Sequence, residues 1–157
     1  MNLTGKKIIP ASREEVWEML QSIEVLKASI PGCEDLAWEN DTTLRTVVRA
    51  KVGPVKMRFK GRIVLSDLRK PESYTIAGEG QGGVSGFAKG KAEVVLTEIP
   101  EGCELTYVAA ATVGGKLAQM GARLLNSIAK KMADDFFNGF VAHVTNSQLQ
   151  AKRNGQK

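Results

Sequence analysis

A proline-free stretch at residues 113–149 constrains the fold more than any other part of the 157-residue chain. Gly114 and Gly115 interrupt the strand-like sequence before it, and polar residues then recur at intervals of three or four. This spacing is typical of one face of an α-helix. The polar residues of that face are Lys116, Gln119, Arg123, Ser127, Lys130, Asp134 and Asn138. Large apolar residues occupy the other faces, so the pattern predicts a long helix that packs into a concave partner.

The middle of the chain has the two-residue period of β-strands. From residue 33 to residue 112, apolar and polar residues alternate in about six segments, which turn sequences such as Gly53-Pro54 separate. A strand at residues 3–9 and two short helices precede them, the first helix with a capping box of Ser12 and Glu15. A long meander curls because strand twist accumulates. The predicted fold is α+β, with about seven antiparallel strands curled around a long C-terminal helix and two short helices after strand 1.

Length and composition predict a single globular domain. A chain of this length can bury one sizeable core, and its hydrophobic content of 43% is near the globular average. We assign residues 1–149 to this domain and residues 150–157 to a polar, basic and disordered tail. The sequence contains no secretory segment and no apolar run of bilayer length, so we expect a cytoplasmic protein. We expect a monomer or a weak homodimer.

Few residues of the sequence suit catalysis or metal binding. The single histidine, His143, lies near the end of the predicted helix, and Cys33 and Cys103 lack a metal-like spacing. Nucleophilic catalysis requires a base beside the nucleophile, and no set of acids falls on the inward faces of the strands. The glycine-rich residues 78–86 lie between two strands, which predicts a flexible hairpin loop and no phosphate site. We expect no metal site, no cofactor and no enzymatic activity.

Small residues mark the predicted inward faces of two strands. Ala88, Gly90 and Ala92 alternate on one strand, and Ala109 and Ala111 alternate on another. Either the helix and the sheet approach closely around a filled core, or an apolar cavity separates them. For a cavity, the predicted lining residues are Leu26 and Ile30 at the mouth, Leu117, Met120, Leu124 and Ile128 on the helix, and Phe59, Tyr74, Phe87 and Tyr107 on the sheet. The cavity should lie under the first helical turns, with residues 136–140 as solid core.

A run of cations of one sign covers one predicted hairpin. Residues 43–66 contain seven basic residues and no acidic one: Arg45, Arg49, Lys51, Lys56, Arg58, Lys60 and Arg62. We call these seven residues the basic hairpin. Because charges of one sign repel each other, the run favours an acidic protein surface or an anionic membrane as its partner. We do not expect a nucleic-acid partner, because the outward positions offer no aromatic residues on which bases could stack.

Several short motifs resemble the carbon monoxide dehydrogenase CoxG family of the START-like, Bet v 1-like (SRPBCC) superfamily. The matching motifs are Val16-Trp17, Ile30-Pro31-Gly32-Cys33, Val52-Gly53-Pro54-Val55 with Gly61, Gly78-Glu79-Gly80, Gly86-Phe87-Ala88-Lys89-Gly90, Leu105 with Tyr107, Gly114-Gly115-Lys116-Leu117-Ala118-Gln119 and Phe136-Phe137. The resemblance implies a helix-grip fold with a deep hydrophobic cavity between sheet and helix.

The resemblance also implies the partners and the role of the protein. Members of this family are associated with molybdenum-containing CO dehydrogenases, which they are thought to dock at the membrane or connect to quinones. The implied function is therefore to hold a quinone or lipid-like molecule and to recruit such an enzyme, with peripheral contact at the inner face of the membrane. The alternatives are a cavity enzyme of the same superfamily, such as a cyclase or hydrolase, and a pure docking module with a filled core.

Overall fold

The computed structural model describes residues 1–154, except for the side chains of residues 52, 55, 151 and 154. Its elements, in chain order, are β1 (Asn2–Ile9), α1 (Arg13–Met19), α2 (Ile23–Ser29), β2 (Cys33–Trp38), β3 (Thr43–Val52), β4 (Val55–Arg69), β5 (Ser73–Gln81), a 3-10 turn (Gly83–Ser85), β6 (Phe87–Ile99), β7 (Gly102–Gly114), a second 3-10 turn (Gly115–Met120) and α3 (Ala122–Asn154).

The seven strands form one antiparallel sheet. Their order is β1-β7-β6-β5-β4-β3-β2, so β2 to β7 form a continuous meander and β1 joins it beside β7. The sheet curls around α3, and α1 and α2 follow β1. The α+β class and the helix-grip arrangement predicted from the sequence are confirmed.

The main core lies between α1, the sheet and the second half of α3. Ile9, Leu105 and Phe140 are at most 1% exposed there, and each such large side chain contributes about 2 kcal/mol through its burial. Aromatic rings join the layers, because Trp17 of α1 meets Tyr74 of β5 edge-on with ring centroids 5.4 Å apart. This cluster fixes α1 and α3 against the concave face of the sheet.

A second, smaller cluster lies near the start of α3, and we call it the distal cluster. Met57, Leu117 and Leu125 are its buried members. Partly buried side chains pack around them: Phe59, Ala88, Val113, Met120 and Ile128. The distal cluster joins the start of α3 to β4, β6 and the end of β7, so the helix is held near both of its ends.

Both short helices begin with a serine cap. The Ser12 hydroxyl accepts a hydrogen bond from the backbone N–H of Glu15 (3.2 Å), and the Ser22 hydroxyl accepts one from Val25 (3.4 Å). Serine caps of this kind satisfy backbone donors that the first helical turn leaves free. The helix start predicted at Ser12 is therefore confirmed.

Helix α3 begins later and ends later than the sequence pattern indicated. Gly121 has a positive φ of 90°, and the residues before it form a 3-10 turn, so Lys116, Leu117, Gln119 and Met120 do not lie on the helix. The spacing of three that the prediction used occurs in 3-10 turns as well as in α-helices. At the other end, residues 150–154 are helical, which contradicts the disordered tail predicted there. Residues 155–157 lie outside the described residues.

Candidate functional site

A cavity of about 150 Å³ lies between the short helices, the sheet and the second half of α3. Its walls consist of Leu20, Leu26, Ile30, Leu44, Ile63, Leu65, Tyr74, Ile76, Val94, Leu105, Phe136 and Phe137. Eleven of these twelve side chains are apolar. An apolar cavity of this volume can hold a group the size of a benzene ring.

An open hollow of about 390 Å³ adjoins this cavity on the concave face of the sheet. Small residues form its surface, and we call them the alanine-glycine floor: Gly78, Gly80, Ala88, Gly90, Ala92, Ala109 and Ala111. The register aligns them across three strands, because Gly78 pairs with Gly90 and Gly90 pairs with Ala111. Ile76 lines both spaces, so the cavity and the hollow meet at this side chain.

Tyr74 supplies the polar group of the enclosed cavity. The residue is only 4% exposed, and its side chain points to the concave face together with that of Ile76. Burial raises the pKa of the Tyr74 hydroxyl above its ordinary value. The hydroxyl therefore remains protonated, and able to donate a hydrogen bond, at neutral pH.

Tyr107 lies at the junction of β7, β1 and α3. Its ring stacks on Phe137, with centroids 5.4 Å apart, and it lies over Gly5, where a side chain would collide with it. Burial raises the pKa of Tyr107, and the nearby carboxylate of Asp134 raises it further. Asp134 is half-buried on α3, so it does not continue the solvent-exposed polar face that the sequence predicted for it.

The ten predicted lining residues fall into separate places. Leu26, Ile30 and Tyr74 line the enclosed cavity. Phe59, Leu117, Met120 and Ile128 belong to the distal cluster, and Tyr107 packs against the main core. Phe87 and Leu124 are 41% and 39% exposed.

Strand parity explains the position of Phe87. Along β6 the even-numbered residues Ala88, Gly90 and Ala92 face the hollow, so Phe87 points to the opposite face of the sheet. Its ring lies against Gly114 there. The prediction chose Phe87 for its size and disregarded this alternation.

The enclosed cavity also contains residues that the sequence prediction placed elsewhere. Phe136 and Phe137 were expected to be solid core, yet both line the cavity. Ile63, Leu65, Ile76 and Val94 were missed, although the two-residue period does place them on inward faces. The period shows the direction of a side chain, but it contains no information on where packing leaves a space.

The basic hairpin is exposed on the convex face of the sheet. Its register places like charges directly opposite each other, with Arg49 beside Arg58 and Lys51 beside Lys56. Neighbouring β2 supplies acids that the sequence window 43–66 lacks. Glu34 Oε1 lies 3.1 Å from Nε of Arg58 and 3.5 Å from Nε of Arg49.

A second acid of β2 pairs with the other end of this hairpin. Glu39 Oε2 lies 3.2 Å from Nε of Arg62. In the described part of the chain, Arg45, Lys51, Lys56 and Lys60 form no salt bridge. The positive charge of the basic hairpin is therefore partly offset, and these four residues retain the accessible cations.

Within residues 1–154, no helix is long and apolar enough to cross a membrane. Over the same residues, no three His, Cys, Asp or Glu side chains come together in a group that could hold a metal ion.

Comparison with known proteins identifies the family. The family model for the carbon monoxide dehydrogenase protein CoxG matches residues 5–145. A conserved protein from Geobacillus kaustophilus has a similar crystal structure, with 30% identity, a TM-score of 0.87, and coverage of 94% of this chain and 97% of that one. Among curated proteins, no match to this chain was found.

More distant structures share the fold alone. The protein TTHA0849 from Thermus thermophilus is 16% identical, with a TM-score of 0.69 over 94% of this chain and 99% of that one. The Zhui aromatase/cyclase from Streptomyces sp. R1128 is 11% identical, with a TM-score of 0.67 over 92% and 93%. With the family model extending over nearly the whole described fold, the chain belongs to the carbon monoxide dehydrogenase CoxG family.

Proposed function

We propose that this protein is a non-catalytic carrier that holds a hydrophobic small molecule, such as a quinone or a lipid, between its sheet and α3. The observation that carries this proposal is the apolar space formed by the enclosed cavity and the adjoining hollow. Binding sites of this kind are concave, mostly apolar and equipped with few polar groups. Empty volume of this extent also argues against a docking module with a filled core.

The walls of the space favour a carrier over an enzyme. Acid–base catalysis needs a titratable group within hydrogen-bond reach of the reacting atoms. Among the twelve residues around the enclosed cavity, only Tyr74 carries a polar side-chain atom, and its raised pKa makes it a poor base at neutral pH. The likeness to an aromatase/cyclase at 11% identity concerns the fold and gives this chain no catalytic group.

Filling the hollow tests the carrier function. The Ala92→Phe substitution places a ring over the alanine-glycine floor, and we expect it to abolish retention of a long-chain quinone or fatty acid. Ala110→Phe adds the same ring on the exposed, opposite face of neighbouring β7 and serves as the matched control. Native mass spectrometry after incubation with each molecule measures the bound fraction. A wild-type protein that retains neither molecule contradicts the proposal.

We further propose that the protein acts as an accessory of a molybdenum-containing CO dehydrogenase-type enzyme and that the basic hairpin contacts this partner. Family membership supports the class of partner, and the accessible cations support an acidic docking surface on it. Because Arg58 and Arg62 already pair with Glu34 and Glu39, the decisive residues should be those without such acids.

A charge-reversal experiment separates the cations of the basic hairpin from cations elsewhere. We expect Arg45→Glu with Lys60→Glu to abolish co-purification with the enzyme, and association of the wild type to weaken as salt is raised. Lys27→Glu with Arg69→Glu changes the net charge equally at exposed positions outside the basic hairpin, and it should leave co-purification unchanged. Equal loss in both variants would show an effect of net charge alone and would exclude docking through the hairpin.

A further inference from the structure

The hydroxyl of Tyr74 has no function in a carrier that holds only apolar groups. The residue is buried, and burial is the sole influence on its pKa, with no contribution from a hydrogen bond or a charged neighbour. A hydroxyl buried without a partner is destabilising, so buried hydroxyls are normally hydrogen-bonded. Phenylalanine would fill the same place without this cost. The hydroxyl therefore indicates a binding partner inside the cavity.

A water molecule is a poor candidate for that partner. A buried water needs two to four polar neighbours. The other eleven side chains around the cavity carry no oxygen or nitrogen. A polar atom on a bound molecule, whose remaining surface is apolar, fits these walls better.

We propose that the Tyr74 hydroxyl donates a hydrogen bond to an oxygen atom on a single ring that occupies the enclosed cavity. This inference rests on the proposed carrier function and specifies its ligand as a ring with an acceptor oxygen and an apolar chain. The cavity volume of about 150 Å³ fits one six-membered ring. The hollow of about 390 Å³ beyond Ile76 receives the chain.

This arrangement fixes the orientation of the ligand. The ring lies innermost, between the short helices and Phe136 and Phe137, and the chain extends over the alanine-glycine floor. The floor suits a chain because it has neither charged side chains nor bulky ones that face the hollow. Tyr74 thereby acts as a specificity-determining residue that favours an oxygen-bearing ring over a hydrocarbon ring of equal size.

Two matched probes test the proposal on the full chain. One is 2-decyl-1,4-benzoquinone, and the other is decylbenzene, which has a ring and chain of similar size but no oxygen. We expect Tyr74→Phe to weaken binding of the quinone by about three- to tenfold, the range for one neutral hydrogen bond. Binding of decylbenzene should not change. Titrations followed by native mass spectrometry measure both affinities.

The infrared carbonyl band of the bound quinone gives a readout that a change in packing would not reproduce. A hydrogen bond from Tyr74 lowers the carbonyl frequency, so the band should move to higher frequency in Tyr74→Phe. Tyr107→Phe is the control, because it removes a hydroxyl that lies outside the lining of the cavity. It should leave both the band and the affinity as in the wild type.

The outcomes separate this inference from the function on which it rests. Equal weakening of both probes, or an unshifted carbonyl band, overturns the role of Tyr74 while the carrier function stands. Equal affinity of the wild type for both probes does the same. A wild type that binds neither probe overturns the inference and the carrier function together.

Discussion

Gly61 shows how a single residue shapes the sheet. A Cβ atom at this position would collide with the backbone carbonyl of Glu79 and would lie 3.1 Å from the Cα of Gly80. Glycine therefore lets β5 approach β4 closely at this point of the concave face. Glycines at such positions commonly mark a tight bend or a close approach of two backbones.

We expect Gly61→Ala to lower the free energy of unfolding by about 2 kcal/mol, because the backbone of β5 must move to relieve the collision. Gly78→Ala is the matched control on the neighbouring strand. Its new methyl group would lie 3.7 Å from the nearest atom, so we expect a change within about 1 kcal/mol. Urea denaturation measures both values, and equal effects would show that close approach is not the function of Gly61.

Tyr74 also links stability to pH. Its pKa is raised in the folded protein, whereas the unfolded chain should titrate near the ordinary value of about 10. Above that pH the unfolded state binds fewer protons than the folded state, so the free energy of unfolding falls as pH rises. Below about pH 10 the contribution of this group is constant.

The alkaline loss of stability should therefore be smaller in Tyr74→Phe than in the wild type. One proton accounts for a slope of at most about 1.4 kcal/mol per pH unit above pH 10. The measurement is the free energy of unfolding in urea at pH 9 and pH 11 for both proteins. Parallel declines would contradict the assignment, because the other titrating groups are common to the two proteins.

At the level of elements, the crossing of α2 and α3 controls the wall of the cavity. A Cβ atom at Gly139 of α3 would lie 3.4 Å from the Cα of Ser29, which is an ordinary van der Waals contact. Helix α2 carries Leu26, and Ile30 follows at its end, so the distance between the two helices positions both side chains in the cavity wall.

Substitutions at Gly139 should therefore depend on size. Gly139→Ala fits the contact and improves helix propensity, so we expect unchanged stability or a gain of up to about 1 kcal/mol. Gly139→Leu must push α2 outward, and we expect a loss of about 1–3 kcal/mol together with weaker binding of 2-decyl-1,4-benzoquinone. Urea denaturation and ligand titration measure the two effects. Unchanged binding in the leucine variant would argue that α2 does not form the wall.

The elements also show where local patterns suffice. The alternation along β3 to β7 predicted their presence and their inward faces, and Ser12 predicted the start of α1. The start of α3 was wrong because Gly121 adopts a positive φ that a spacing pattern cannot reveal. The polar face expected at Asp134 failed for a related reason, since the neighbouring Tyr107 comes from a distant strand.

At the scale of the whole molecule, charge is strongly segregated. Residues 43–66, 80–92 and 113–133 contain seven, two and four Lys or Arg, which is thirteen of the 22, and none of the 17 Asp and Glu. Contacts of Met120 with the Gly53 turn and of Gly115 with Gly86 bring the three segments together at one end. Val84, which is 84% exposed, adds an apolar side chain to this end. We propose that this end contacts an anionic membrane.

We expect the protein to sediment with vesicles that contain phosphatidylglycerol and not with pure phosphatidylcholine vesicles, with binding lost at high salt. Lys51→Glu with Lys56→Glu should lower this binding by at least about tenfold, since each lysine near an anionic surface contributes about 1 kcal/mol. Lys27→Glu with Arg69→Glu is the control of equal net charge and should bind nearly as the wild type does. Equal losses would show that the total charge, and not this end, determines the interaction.

The sequence by itself determined the class of the fold and the direction of most side chains on the sheet. Tyr74 faces inward, and the small residues from Gly78 to Ala111 share one face, because both facts follow from a local two-residue period. The tertiary structure decided where space remains and which charges are offset. The cavity lies under Phe136 and Phe137, and Glu34 reaches Arg58 across two strands, because packing distances and strand register depend on residues far apart in the chain.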